Sequence, residues 1–193
     1  MAGKKYEFRQ DKTGPDLLSK LYLTKKQRAS LLKWTLFGLV MLALSLIQDV
    51  ILCHVNIYGA STDLMPYAIL LACMILGADT GCVFALVAAS FYPFSGTAPG
   101  YYTIALIPIL GTLMALLRQA YLRKGVFTNI ACAAIAFFLY EMFLLGIGII
   151  SELTVVQRAG TFFVTFGITL ISTPVLYPLL SRLERIGGET WNE

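Results

Sequence analysis

Two carboxylates within apolar stretches are the side chains of this sequence best suited to chemistry. Glu141 lies near the middle of one stretch, between Tyr140 and Met142, and Asp49 follows Gln48 late in another. An ionisable side chain in hydrocarbon costs about 2.5–3.5 kcal/mol on insertion scales, so it usually faces a partner or a cavity. Glu141, Asp49 and Gln48 are therefore candidates for binding a ligand, an ion or a partner helix.

A packing role explains the same two carboxylates. A protonated or hydrogen-bonded carboxyl group can fix how helices pack, and Tyr140, Gln119 or a Ser or Thr hydroxyl could supply the partner for Glu141. We favour this packing role for Glu141 and for Asp49, and the sequence leaves the binding role open.

The sequence offers little else for catalysis or metal binding. Its one histidine is His54, and its four cysteines form no CxxC pair: Cys53, Cys73, Cys82 and Cys132. It contains no glycine-rich phosphate loop, HExxH motif or nucleophile elbow. We therefore predict a protein that is not an enzyme and binds no cofactor or metal, and whose cysteines are small buried side chains.

Composition defines the class of protein that must position these groups. Of 193 residues, 58% are apolar and 13% are charged, and the mean hydropathy is +0.74. A typical soluble domain is about 45–50% apolar and about 25% charged. These values exclude a disordered chain, a collagen-like chain and an ordinary water-soluble domain. They predict an all-α polytopic membrane protein.

Six apolar stretches follow one another along the chain. They are Leu31–Val55, Leu64–Ala78, Thr80–Phe94, Tyr101–Leu117, Val126–Ile150 and Ala159–Leu180. A bilayer core of about 30 Å requires about 20 helical residues, which the first, fifth and sixth stretches provide and the fourth nearly does. We predict about six transmembrane helices in a bundle at 31–181, between a basic segment at 1–30 and a short tail at 182–193.

The second and third stretches are short, since 15 helical residues cover only about 22 Å. Gly77 and Gly81 between them predict a tight turn. The pair can form two short spans or a re-entrant hairpin covered by protein, and the sequence leaves both open. Pro99 and Gly100 predict a helix break after the third stretch, Pro174 and Pro178 predict a bend within the sixth span, and Pro66 is a further structural candidate.

Basic residues predict the orientation of the bundle. If the N-terminus is inside, 14 of the 15 lysines and arginines fall in inner segments, and only Arg158 falls in an outer loop. This bias predicts that both termini face the cytoplasm. Nine of these residues lie in positions 1–33, where they suit anionic lipid headgroups better than nucleic acid. Residues 15–21 could form an amphipathic helix on that membrane surface.

The order of these features resembles the bacterial rod shape-determining MreD family over positions 31–185. The pieces that carry the resemblance are Gln48-Asp49, Asp63-Leu64-Met65-Pro66, the Gly77–Gly81 turn, the small-residue-rich third stretch, the Ser95–Tyr102 segment, the basic residues Arg118, Arg123 and Lys124 after the fourth stretch, and the closing Pro174–Arg185. The family often has an acidic residue just before its Ser-Gly segment, where this chain has Phe91, Tyr92 and Pro93.

The resemblance implies a non-catalytic subunit of the cell-wall elongation machinery in the bacterial cytoplasmic membrane. Such a subunit would bind membrane lipid and an MreC-like membrane-anchored shape protein. It would thereby help couple MreB-like filaments in the cytoplasm to peptidoglycan synthases outside.

Two other classes fit the same layout. A substrate-binding subunit of an energy-coupling-factor vitamin transporter has a similar size and about six spans, and Asp49 and Glu141 could line its ligand cavity. Against this class, the first span carries mostly bulky residues where a small-residue stripe would dock a coupling subunit, at Gly38-Leu42-Leu46 and Leu39-Ala43-Ile47. A small channel or ion carrier has only the two acids in its favour.

Overall fold

The computed structural model describes residues 25–55, 59–96, 98–122, 125–152 and 159–185, which form helices and no β-strand. In chain order the α-helices are α1 (Lys25–Val50), α2 (Leu64–Leu76), α3 (Ala78–Phe91), α4 (Thr103–Tyr121), α5 (Val126–Ile150), α6 (Ala159–Ile171) and α7 (Thr173–Arg185). Short 3-10 helices at Leu52–His54 and Tyr92–Phe94 follow α1 and α3. The predicted all-α class is confirmed for these residues.

Several helices are compatible with insertion into a membrane. Three segments are long and apolar enough to cross one: Ser30–His54, Thr103–Tyr121 and Val126–Ile150. The bent pair of α6 and α7 makes a fourth if it is counted as one span. The fifth apolar stretch coincides with α5 at both ends, whereas α1 begins at Lys25, inside the predicted basic segment.

Helix α1 has a buried face and an exposed apolar face. The buried face consists of Phe37, Met41, Leu44 and Gln48, and the exposed face includes Leu39, Leu42, Leu46 and Val50. The buried residues recur every three or four positions, which places them on one side of a helix. An exposed apolar face on a helix of this length suits contact with lipid or with another membrane helix.

Helix α2 lies in the interior of the bundle. All residues from Leu64 to Ile75 are buried, and the helix packs against α1, α3, α4, α5 and α7. The Tyr67 ring meets Phe137 of α5 edge-on at 5.4 Å, and its hydroxyl lies 2.6 Å from the Thr173 hydroxyl of α7. A helix that is apolar on every side is expected in the interior, where its 13 residues need not match the bilayer thickness.

Two glycines permit the tight connection from α2 to α3. Gly77 has φ = +90°, a backbone conformation that side-chain-bearing residues rarely adopt, and it is the single residue between the two helices. At Gly81, a Cβ atom would lie 2.6 Å from the Cys73 carbonyl oxygen, so α3 crosses α2 at backbone contact. The turn predicted at Gly77–Gly81 is therefore shorter than expected, because α3 already begins at Ala78.

The sixth apolar stretch forms two helices that meet at an angle of 52°, with Ser172 between them. Pro174 has no N–H group to donate to the Leu170 carbonyl four residues earlier. The Thr173 hydroxyl donates to that carbonyl instead, at 2.6 Å. The predicted bend is present, but it precedes Pro174, and Pro178 lies on the exposed side of α7 within the helix.

Several sequence-based predictions concern residues outside the described ranges. These are the amphipathic helix at 15–21 and most of the basic segment, the basic residues 123–124, Arg158, and the tail from 186 onward.

Candidate functional site

A buried polar cluster joins the end of α1 to the beginning of α2. We define it as Gln48, Asp63, Tyr92 and Thr169. The Gln48 amide donates from Nε2 to Asp63 Oδ1 at 3.1 Å, and the Tyr92 hydroxyl donates to the same oxygen at 2.9 Å. The Asp63 backbone N–H donates to the Thr169 hydroxyl at 3.2 Å. The cluster thus connects α1, α2, α6 and the 3-10 helix after α3.

Gln48 also satisfies the first turn of α2. Its Oε1 accepts a hydrogen bond from the Met65 backbone N–H at 2.6 Å. The first N–H groups of a helix have no partner within the helix, and a side chain of the preceding residue usually provides one. Here that residue is Asp63, whose carboxylate bonds to Gln48 and Tyr92 rather than to the helix. A side chain from α1 therefore caps α2.

Asp49 makes a separate connection. The Ser95 hydroxyl donates to Asp49 Oδ1 at 2.6 Å, which ties α1 to the segment that follows α3. Gln48 and Asp49 are adjacent in sequence, but they point to different neighbours. Asp49 is half-buried and does not line the cavity described next.

A cavity of about 240 Å³ lies beside the polar cluster. Its lining comes from three helices and two connections: Gln48, residues 59–63, Pro99, Glu141, Leu144, Thr161, Phe162 and Thr165. Polar and apolar groups contribute together, with Leu144 and Phe162 forming apolar walls. The loop before α2 and the first two turns of α6 therefore bound one space with the middle of α5.

Glu141 lines this cavity and has one buried oxygen without a partner among the described residues. The side chain is only 3% exposed, and its Oε1 has no hydrogen-bond partner among the described residues. Neither Tyr140 nor a Ser or Thr hydroxyl bonds to this oxygen, and Gln119 lies elsewhere, beside Gly77. Buried polar atoms are hydrogen-bonded in the great majority of cases, so this oxygen requires an explanation.

Arg118 stabilises the opposite end of α2. The guanidinium group is buried and donates from Nη1 to the Met74 carbonyl and to Asn129 Oδ1, the latter at 2.6 Å. Met74 lies in the last turn of α2, where carbonyl groups lack partners within the helix and the helix dipole favours a cation. Sequence reasoning treated Arg118 only as one of the basic residues after the fourth stretch, and the structure gives it a buried role.

The structure brings together some of the candidate residues and separates others. Gln48, Glu141 and Pro99 line the cavity, whereas Asp49 bonds to Ser95 outside it. Pro66 lies in the first turn of α2, where no intrahelical N–H bond is lost. The Gly100 carbonyl accepts a hydrogen bond from the Thr103 hydroxyl at 2.7 Å, at the beginning of α4.

Sequence reasoning did not select Asp63, Tyr92 or Thr169 as site residues. Asp63 was recognised only as part of the segment that precedes the second stretch. The available signal was an acidic residue directly before a fully apolar helix, where a negative charge complements the helix N-terminus.

In the described part of the chain, no three His, Cys, Asp or Glu side chains are grouped so that they could hold a metal ion. Comparisons with family models, curated proteins and solved structures found no match to this chain.

Proposed function

We propose that this protein is a non-catalytic, multi-pass subunit of the bacterial cell-wall elongation machinery in the cytoplasmic membrane. It would bind an MreC-like shape protein and help couple MreB-like filaments to peptidoglycan synthases. The proposal starts from the resemblance of the sequence to the MreD family.

One observation carries this proposal. Three of the pieces that make up the resemblance are hydrogen-bonded to one another, although they are far apart in sequence. Gln48 bonds to Asp63 and to the Met65 backbone, while Asp49 bonds to Ser95. Pieces that depend on one another in space are expected to occur together, so their joint presence supports family membership better than any one piece does.

We further propose six membrane crossings with both termini in the cytoplasm. The first turn of α2 bonds to Gln48 near the end of α1, and its last turn bonds to Arg118 near the end of α4. Helix α2 therefore runs from one end of the bundle towards the other, and its contacts favour a crossing over a shallow re-entrant hairpin. The bias of basic residues favours an orientation with the Arg118 end inside.

Partner binding would use the apolar surface of the bundle. Helix α1 exposes Leu39, Leu42 and Val50, each more than 60% exposed, on the side away from the core. Helices associate in a bilayer through close packing and hydrogen bonds rather than through exclusion of water. A single-span partner such as an MreC-like protein could pack its helix there.

Cell shape and native partners test this function. Depletion of the protein in its rod-shaped host should widen or round the cells. Affinity purification from native membranes should recover a membrane-anchored shape protein. Unchanged cell shape after depletion, together with recovery of unrelated proteins, would contradict the proposal.

A second candidate function is supported by the cavity. A substrate-binding subunit of an energy-coupling-factor vitamin transporter needs a ligand cavity with polar groups, and Glu141 and Gln48 line a cavity here. This function predicts copurification with ATP-binding coupling subunits and a vitamin-uptake defect without a change of shape.

A further inference from the structure

We propose that the cavity beside the polar cluster binds a small organic cation, whose ammonium group contacts Glu141. The site is compatible with either candidate function and goes beyond both, because binding by the purified protein can be measured without reference to cell shape or uptake.

Glu141 has a buried oxygen that no described residue satisfies. A buried acceptor without a partner costs about 1–3 kcal/mol, and more when it is charged. Glu141 Oε1 is in this situation, and the Glu141 side chain lines a space large enough to admit a partner. A ligand that donates a hydrogen bond to this oxygen would remove the cost.

The charged residues in the cavity lining are acidic. Asp63 and Glu141 both line the cavity, and its described lining contains no lysine, arginine or histidine. Asp63 Oδ1 already accepts hydrogen bonds from Gln48 and Tyr92, whereas Glu141 Oε1 accepts none from the described residues. Because the described lining has no basic residue, a bound cation would supply the opposite charge that favours the charged form of these acids.

The hydrogen-bond donors of an ammonium group match the side-chain oxygens of the cavity lining. An ammonium group carries three N–H donors and no acceptor. Three residues with side-chain oxygens, Glu141, Thr161 and Thr165, line the cavity. Oxygen-bearing side chains together with the apolar side chains of Leu144 and Phe162 suit an amine with a short alkyl chain.

The volume of the cavity suits a small organic molecule. A volume of about 240 Å³ corresponds to about eight water molecules at about 30 Å³ each, which exceeds the need of a bare metal ion. It is also smaller than the 300–1,000 Å³ typical of sites for drug-sized ligands. An amine of the size of ethanolamine fits between these limits.

Two sources could supply this chemistry, a free amine or the headgroup of an aminophospholipid. Both present the same primary ammonium group to Glu141. The test therefore uses ethanolamine as the probe and varies the surrounding lipid.

The binding experiment uses the full-length protein purified in an amine-free buffer. Ethanolamine hydrochloride is titrated by calorimetry, with ethylene glycol as the neutral analogue and sodium chloride as the ionic-strength control. We expect saturable binding of ethanolamine only. Equal effects of ethylene glycol or sodium chloride would overturn the proposal.

Two variants locate the site. Glu141→Gln keeps the shape of the side chain and removes the charge, and we expect it to weaken ethanolamine binding about tenfold or more, because hydrogen bonds to charged groups contribute about 1.5–3 kcal/mol. Glu184→Gln makes the same change on the exposed side of α7 and should bind as the wild type does. Wild-type affinity in Glu141→Gln would overturn the proposal. If that variant does not fold, Thr165→Val must weaken binding, and no effect there would overturn it.

Nanodiscs separate the two sources. Ethanolamine is titrated in discs of phosphatidylcholine, whose quaternary headgroup has no N–H donor, and in discs containing phosphatidylethanolamine. Weaker apparent binding in the second lipid supports occupation by a lipid headgroup, whereas equal binding supports a free amine. Absence of binding in both lipids would overturn the proposal.

Discussion

At the scale of single residues, the molecule uses a few polar side chains to complete the backbone of one buried helix. Gln48 bonds to the beginning of α2, and Arg118 bonds to a carbonyl in its last turn. Unpaired backbone groups are costly in an apolar interior, where water cannot replace the missing partner. These two side chains therefore matter for stability although neither lies in α2.

We expect Gln48→Ala to destabilise the protein by about 1–3 kcal/mol, because the Met65 N–H and the Asp63 carboxylate each lose a buried partner. Thermal unfolding in detergent measures this as a lower melting temperature. Gln119→Ala is the matched control, since Gln119 is exposed on α4. Equal melting temperatures of the two variants would contradict the capping role of Gln48.

We expect Arg118→Ala to be similarly destabilising, because it leaves the Met74 carbonyl and the Asn129 side chain without their buried donor. Arg182→Ala removes the same side chain from an exposed position of α7 and should have little effect. The same unfolding measurement compares the two. If Arg118→Ala had the same melting temperature as the wild type, the positive charge of Arg118 would contribute to topology and not to stability.

The candidate site could be predicted from sequence where a polar residue interrupts an apolar stretch. Gln48 and Glu141 were found in this way, and both line the cavity. Asp49 carries the same signal, yet its side chain lies on another side of α1 and bonds to Ser95. Asp63 lies in a connection, where acidic residues are common, so only the path of the chain reveals that it is beside Gln48.

At the scale of helices, length and apolar content predicted where elements lie but not where they break. Helix α5 has the predicted ends, since nothing within 126–150 competes with a continuous helix. The sixth stretch is equally apolar but divides at Ser172, because a missing donor at Pro174 favours a local bond from the Thr173 hydroxyl. The site of such a break depends on side-chain hydrogen bonds that hydropathy does not contain.

The contact between α2 and α3 gives a prediction of its own. We expect Gly81→Ala to destabilise the protein by about 1–3 kcal/mol, because the added Cβ would lie 2.6 Å from the Cys73 carbonyl oxygen and would force the helices apart. Gly38→Ala is the control, since a Cβ there meets nothing within 4 Å and alanine favours a helix. Melting temperatures in detergent should fall for the first variant and stay level or rise for the second. A neutral Gly81→Ala would mean that α3 can move away from α2 at little cost.

At the scale of the whole molecule, α2 is a buried central helix, and other helices pack around it. Its beginning is fixed by α1 and its end by α4, while α5 and α7 cover its sides. A helix enclosed in this way is shielded from lipid, so its 13 residues can connect the two ends of the bundle without spanning the full hydrocarbon thickness. Sequence length alone left both two short spans and a re-entrant hairpin open, because it does not reveal which helices are enclosed.

This arrangement predicts the accessibility of the turn between α2 and α3. Asp79 is exposed at the Arg118 end of α2, and Ser61 is exposed before its other end. In a background with the four native cysteines replaced by alanine, we expect Asp79→Cys to react with a membrane-impermeant thiol reagent only from the cytoplasmic side. Ser61→Cys, the matched control, should react only from outside. Labelling of both positions from outside would place the turn on the outer side, and α2 and α3 would then form a hairpin that does not cross.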